Sequence, residues 1–312
     1  MAQESNDERV GRLLRGVAFT LAGAIAWGFS GTCVQYLFEA TSIDAITLTM
    51  LRQLGAGIVF VLVLLVTQRE KLRAILHDRE SLVRLAIFGS FGLFLNSAVY
   101  SITISYTNAG TATVLQSLNI VMVLGLACVV GRRLPRGKEI AALVCALAAV
   151  FFIATHGDVG ALHMRSEGLI FGLLTAAASV FYTTYPKPLF ERWGSFPVTG
   201  LGMLVGGLCG VVLCAVRDGG VPQLPPMDAR AIGVLAIAVL VGTFAAYGMF
   251  LHGISIVGPV AGNMLGAAEP VSATVISALW LGTAFTWADW VGLALMVATI
   301  FLIALQEKEG VS

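Results

Sequence analysis

Hydrophobic residues fall into ten long runs that are separated by short polar segments. An α-helix rises about 1.5 Å per residue, so about 20 apolar residues are enough to cross the hydrocarbon core of a bilayer. The pattern therefore predicts an all-α integral membrane protein with ten transmembrane helices, near residues 16–38, 44–67, 82–106, 109–130, 137–155, 167–190, 194–216, 230–253, 258–281 and 286–305.

Composition and charge agree with this interpretation and orient the chain. Hydrophobic residues make up 57% of the chain and charged residues 12%, well below the quarter or so that is charged in soluble domains. With the N-terminus inside, fifteen of the 19 Lys and Arg residues fall on the inner side and three on the outer side, while Arg52 lies within a span. The positive-inside rule therefore predicts that both termini are cytoplasmic.

The chain also contains two similar halves. Residues 16–39 align without gaps to 168–191, and residues 104–153 align to 254–303, at the similar offsets of 152 and 150 residues. The predicted organisation is a pair of five-helix repeats between two cytoplasmic tails, with the tails at 1–15 and 306–312 and the repeats at 16–155 and 167–305.

An odd number of helices per repeat has a topological consequence. Helix one would run from inside to outside and helix six from outside to inside, so the two repeats would be inverted about an axis in the membrane plane. Inverted repeats suit alternating access, because the two halves can exchange conformations around a shared midplane site. A duplicated scaffold with no transport role is the alternative.

Four short motifs resemble those of the EamA branch of the drug/metabolite transporter superfamily. They are the sequence Ala-Trp-Gly-Phe-Ser-Gly at 26–31, Leu51-Arg52, the stretch 105–110, and Glu269-Pro270-Val271 followed by Leu281-Gly282. The resemblance covers nearly the whole chain. The chain departs from the family pattern at Asn119-Ile120, where a Pro is frequent, and at Arg132 and Thr283, where a Glu is frequent.

This resemblance implies a function. Its amino-acid and metabolite exporter branch is the most similar, which implies a secondary transporter that exports small polar metabolites, amino acids first among them, across a bacterial inner membrane. The alternatives are a carrier of a nucleobase, sugar conjugate or cationic drug, a channel, and, remotely, an intramembrane enzyme. The expected partners are the substrate and the lipid bilayer, with no nucleic acid, and the oligomeric state stays open.

The sequence contains no motif for enzyme chemistry or ATP hydrolysis. No Walker loop, nucleophile elbow or His-Glu-x-x-His pair is present. The five cysteines have no metal-ligand or redox spacing and are expected to be small packing residues. We therefore expect no catalytic residue, no cofactor and no metal site.

Two charged residues within the spans are candidates for a substrate site, because ionisable groups in a membrane are costly and are usually functional. Glu269 lies about 17 Å from the cytoplasmic start of its span, near the midplane, and Pro270 would free a backbone carbonyl there. It either binds an ammonium group or proton, or is a structural carboxylate. Arg52 either binds a substrate carboxylate or is a snorkelling or interhelical residue.

The remaining candidates for substrate binding are aromatic and amide side chains within the spans. Amides offer hydrogen bonds, and Tyr and Trp offer apolar walls with a polar tip. Some of these side chains are expected to hold helices together instead. The candidates are Trp27, Asn96, Tyr100, Gln116, Asn119, Tyr182, Tyr247 and Asn263.

Overall fold

The computed structural model describes the backbone of residues 6–158 and 163–311, and the side chains of residues 10–158, 163–258, 261–262 and 264–305. In these residues all regular secondary structure is helical. Ten helices are long and apolar enough to span a bilayer, which confirms the predicted number. We name them α1 to α10: Val10–Ala40, Ala45–Thr67, Arg79–Tyr106, Ala109–Val130, Gly137–Thr155, Ser166–Trp193, Ser195–Asp218, Ala229–Val257, Met264–Leu281 and Trp287–Leu305.

Helical structure extends beyond several of the predicted apolar runs. The helix that contains α1 begins at Asn6, within the segment expected to be a tail, and the helix that contains α10 continues to Val311. A short helix, Arg69–His77, joins α2 to α3 and buries Leu72 and Ile75. These extensions are rich in Leu, Glu, Lys and Arg, which favour helix even where the apolar run has ended.

The two repeats interlock. The most extensive interfaces pair α2 with α7, α5 with α10, α1 with α8 and α9, and α3 with α6 and α7. Each of these interfaces joins a helix of the first repeat to a helix of the second. The helices of each repeat therefore pack mainly against helices of the other repeat, and the fold depends on contacts between the repeats.

Glycines in α7 allow it to approach its neighbours closely. A methyl group added at Gly207 would lie 2.5 Å from the backbone nitrogen of Leu54 in α2. One added at Gly206 would lie 2.7 Å from the carbonyl oxygen of Gly89 in α3. Small residues permit such backbone contact between membrane helices, where packing replaces the hydrophobic effect as the driving force.

Both repeats contain the same two helix irregularities. α3 adopts a π-helical turn over Phe88–Leu95 and α8 over Leu240–Ala245, and these segments begin 152 residues apart. α4 breaks after Gln116 and α9 after Gly266, at positions 150 residues apart. π-Helical turns are rare and are frequently found at functional sites, so these positions favour a site in the middle of the bundle.

Side chains bond to carbonyl groups at the irregular segments. Gln53 Nε2 donates to the Leu93 carbonyl at 2.7 Å, and Thr243 Oγ1 donates to the Ala238 carbonyl at 2.9 Å. In α9, Pro270 has no N–H to offer the Gly266 carbonyl, which accounts for the break. α4 breaks at the equivalent place although it has no proline at 119–120, so a proline is not required for this break.

Ion pairs close each end of the bundle. Arg217 Nη1 lies 2.8 Å from Asp44 Oδ1 at one end, and Arg192 Nη1 lies 2.8 Å from Asp78 Oδ2 at the other. Burial alone would raise the pKa of Asp44, but the bonds from Thr47 and Arg217 outweigh it and lower that pKa. The Ser81 hydroxyl, together with Arg192, lowers the pKa of Asp78. Both ion pairs therefore stabilise the fold fully at pH values above the ordinary aspartate pKa of about 3.9. This stabilisation is lost as the pH falls through the lowered pKa values of the folded protein.

We expect Gly207→Ala to lower the stability of the folded protein in detergent by about 1–3 kcal/mol, because its methyl group would force α7 away from the α2 backbone. Gly233→Ala in α8 is the matched control, since a methyl group there has no atom within 4 Å. Thermal unfolding of both variants measures the difference. An equal midpoint for Gly207→Ala and wild type would contradict the close packing.

Candidate functional site

Glu269 lies at the centre of the candidate site. It follows the break in α9, deep within the bundle, yet its side chain is only half-buried. Among the described residues, none forms a hydrogen bond or an ion pair with its carboxylate. α1 packs closely against this turn: a methyl group added at Gly28 would lie 2.6 Å from the Glu269 carbonyl oxygen. The helix break and the close contact with α1 thus present the carboxylate to the interior.

Tyrosines from three helices lie near this carboxylate. Tyr100 of α3, Tyr182 of α6 and Tyr247 of α8 are all close enough to Glu269 to interact electrostatically with it. Tyr182 Oη donates to Tyr247 Oη at 3.1 Å, and Trp27 of α1 packs edge-on against the Tyr247 ring with 4.8 Å between centroids. Trp27, Tyr100, Tyr182, Tyr247 and Glu269 therefore form one group, which we call the central cluster.

Arg52 borders the central cluster from α2. Its Nη2 donates to Ser30 Oγ of α1 at 2.8 Å, and its charge interacts with Tyr100 and Tyr247. Its Nε is buried without a hydrogen-bond partner. The guanidinium is therefore held by an interhelical bond inside the bundle rather than extended toward a bilayer interface, and no ion pair joins it to Glu269.

The exposure of these residues indicates an accessible space among them. Trp27, Arg52 and Glu269 are each half-buried, as are the three tyrosines of the cluster, although the charged and phenolic groups lie deep in the protein. These side chains come from six different helices, converge on one region and retain accessible surface, and we therefore expect them to border a shared space. That space contains a carboxylate, a guanidinium and aromatic walls.

The other predicted residues lie in different surroundings. Asn96 is buried and its Oδ1 accepts a bond from Ser179 Oγ at 2.8 Å, which joins α3 to α6. Gln116 and Asn119 are half-buried on either side of the break in α4, and Asn119 stands 150 residues before Glu269. The side chain of Asn263 lies outside the described residues. A binding role for these four residues stays a prediction.

Sequence reasoning missed Gln35, whose buried amide connects three helices. Its Oε1 accepts from the Ala109 amide of α4 at 2.9 Å and from Ser277 Oγ of α9 at 2.8 Å. Its Nε2 donates to Glu39 Oε1 and to Thr283 Oγ1, both at 2.9 Å. A glutamine near the outer end of a predicted span was the available signal. Thr283, at the position where the family frequently has Glu, belongs to this network.

The described residues contain no group of three His, Cys, Asp or Glu side chains that could hold a metal ion. A carboxylate, a guanidinium, phenolic hydroxyls and an indole can orient a small polar solute by charge and hydrogen bonds.

Comparison with known proteins shows which class of membrane protein this chain resembles and which family it belongs to. A Salmonella typhimurium protein described as an uncharacterized inner membrane transporter, YicL, is 32% identical over 303 residues, which are 96% of this chain and 98% of that protein. An uncharacterized transporter of Bacillus subtilis, YwfM, is 22% identical over 93% of this chain and 94% of its own length. A crystal structure with 19% identity and a TM-score of 0.60, covering 99% of this chain and 100% of its own, shares the fold.

The chain is therefore a multi-pass membrane transporter of the bacterial inner membrane. Residues 14–155 and 166–305 each match the EamA-like transporter family. The protein belongs to that family, and the family sequence occurs twice in the chain. This confirms the resemblance drawn from the motifs around Trp27, Arg52 and Glu269.

A cysteine placed at Tyr100 tests the accessible space directly. In a background without the five native cysteines, we expect Tyr100→Cys to react with a water-soluble thiol reagent, because Tyr100 borders the central cluster and is half-buried. Ser101→Cys is the matched control. Ser101 is the next residue in the chain and is fully buried, so a cysteine at this position should stay unreactive. Equal, negligible labelling of both positions would place Tyr100 in sealed packing.

Proposed function

We propose that this transporter moves small polar metabolites, and amino acids in particular, through the space bordered by the central cluster, and that net transport is export. The observation that carries the proposal is the Glu269 carboxylate, which lies deep in the bundle and has no partner among the side chains that the structure describes. An unpaired carboxylate in a membrane is costly, and ionisable residues at such positions are functional by default. A substrate ammonium group would supply the missing partner.

The surroundings of Glu269 favour an ammonium group. Aromatic faces attract cations; Tyr100, Tyr182 and Tyr247 interact electrostatically with the carboxylate, and Trp27 packs against the Tyr247 ring. Arg52 is separate from Glu269 and offers a planar fork that suits a carboxylate. A zwitterion could satisfy both charges at once, which an organic cation could not.

Alternating access through inverted repeats is the proposed mechanism. Five spans in each repeat would give the halves opposite orientations, and the interlocked interfaces would let them rock against each other about the central cluster. Substrate that binds both the inward-open and outward-open states would then cross without a continuous pore. The ion pairs Asp44–Arg217 and Asp78–Arg192 lie at the two ends that would open in turn.

Counterflow in liposomes tests the substrate class. Vesicles preloaded with an unlabelled amino acid are expected to accumulate the same labelled amino acid, and related amino acids should compete. Vesicles preloaded with a nucleobase, a sugar conjugate or an organic cation are run in parallel. Exchange of an organic cation without exchange of any amino acid would favour the cationic-drug alternative and remove a binding role for Arg52.

Replacing the central carboxylate tests the site. Loss of a charged hydrogen-bond partner costs about 1.5–3 kcal/mol, so Glu269→Gln should reduce apparent substrate affinity in counterflow roughly ten- to hundred-fold. Glu191→Gln is the control, because Glu191 is exposed in the last segment of α6. Wild-type affinity and rate in a Glu269→Gln protein that elutes and unfolds like wild type would contradict the proposed site.

A further inference from the structure

The turn between α4 and α5 holds an arginine in a strained conformation. The Arg133 amide donates to the Cys128 carbonyl at 3.0 Å and the Arg132 amide donates to the Val129 carbonyl at 3.1 Å, which is the Schellman arrangement. Arg132 occupies its left-handed position, with φ of 47°. Glycine is the usual residue there because a side chain is disfavoured. The strained backbone therefore carries a long cationic side chain where none is needed for the turn.

The charges of this turn are unbalanced. Glu139 is buried, and its carboxylate is engaged by both terminal nitrogens of Arg133, at 2.7 and 2.8 Å. Arg132 forms no ion pair with any residue in the described part of the chain. Arg136 and Lys138 are two further basic residues within seven positions, and Glu139 is the one acidic residue in the sequence from 131 to 139. Arg132 is exposed and is the basic residue of this turn that the structure leaves to interact with a ligand.

An open groove adjoins Arg132. It encloses about 790 Å³, including its open mouth, and Gly125, Cys128, Val129, Arg133, Leu134 and Pro135 line it together with Arg132. Its walls are mostly apolar, and Val129 and Leu134 are 75% and 87% exposed. The groove runs from the apolar surface of a spanning helix to a guanidinium at the helix end. This is the polarity profile of a phospholipid, from acyl chain to headgroup.

We propose that this groove binds an anionic phospholipid, with an acyl chain along Val129 and Leu134 and the headgroup phosphate on Arg132. A guanidinium fork matches phosphate oxygens in geometry as well as charge. Basic pockets at the membrane surface of helical bundles suit anionic headgroups. The groove shares no residue with the central cluster, so the proposed lipid site does not depend on which solute is transported.

The left-handed conformation of Arg132 makes a clean experiment possible. Arg132→Gly removes the guanidinium but is better suited to a φ of 47°, so it should fold at least as well as wild type. The protein is placed in nanodiscs of phosphatidylcholine, with or without phosphatidylglycerol, and its unfolding midpoint is measured. Retained lipid is also counted by native mass spectrometry after release into detergent.

We expect phosphatidylglycerol to raise the midpoint of the wild-type protein above its value in phosphatidylcholine alone. Arg132→Gly should lose most of this increase, while its midpoint in phosphatidylcholine equals or exceeds that of wild type. Retention of phosphatidylglycerol should fall about five-fold, the effect of one basic residue near an anionic headgroup. Arg84→Gln is the control, because exposed Arg84 is paired with Glu80 and should leave the lipid effect unchanged.

Three results would overturn the proposal. The first is a phosphatidylglycerol effect that is the same in Arg132→Gly and wild type. The second is a fall in the Arg132→Gly midpoint in phosphatidylcholine, which would make the side chain a structural element of the turn. The third is full reproduction of the stabilisation by soluble glycerol phosphate in phosphatidylcholine nanodiscs, which would assign Arg132 to a free phosphate rather than a lipid.

Discussion

The close packing of α2 against α7, and of α1 against α8 and α9, is the interaction on which the rest of the structure depends. These interfaces join the two repeats, and at Gly28 and Gly207 they bring one backbone against another. Apolar side chains gain little by leaving lipid, so such contacts supply the attraction that water supplies in soluble proteins. They also fix the depth at which the broken turn of α9 meets α1, and with it the position of Glu269.

The polar residues in the interior divide into two kinds. Gln35 is satisfied at both ends of its amide, and Asn96 accepts a bond from Ser179, so both residues connect helices. The Nε of Arg52 is buried without a hydrogen-bond partner, and no described side chain bonds to the Glu269 carboxylate. A structure that satisfies its connecting amides while leaving its two central charges apart is suited to a solute that completes the bonding and then departs.

The sequence was sufficient to predict the spans and to name the residues of the central cluster as candidates, because both follow from local patterns. Apolar length identifies a span, and Glu269, Tyr100, Tyr182 and Tyr247 are conspicuous within one. The π-helical turns could not be predicted, since they depend on partners distant in sequence, such as Gln53 at the Leu93 carbonyl. The orientation of the Arg52 side chain depends on Ser30 in another helix. The left-handed conformation of Arg132 has no sequence signal, because glycine is the residue that normally marks such a position.

The central claim is that the two ends open in turn around one site, and spin-label distances test it most directly. One label pair at Arg79 and Glu191 reports on the end closed by Asp78 and Arg192, and a second pair at Ser42 and Val221 reports on the end closed by Asp44 and Arg217. Adding an amino acid that exchanges in counterflow should lengthen one distance distribution while it shortens the other. Two distributions that stay fixed, or that lengthen together, would contradict alternating access in this protein.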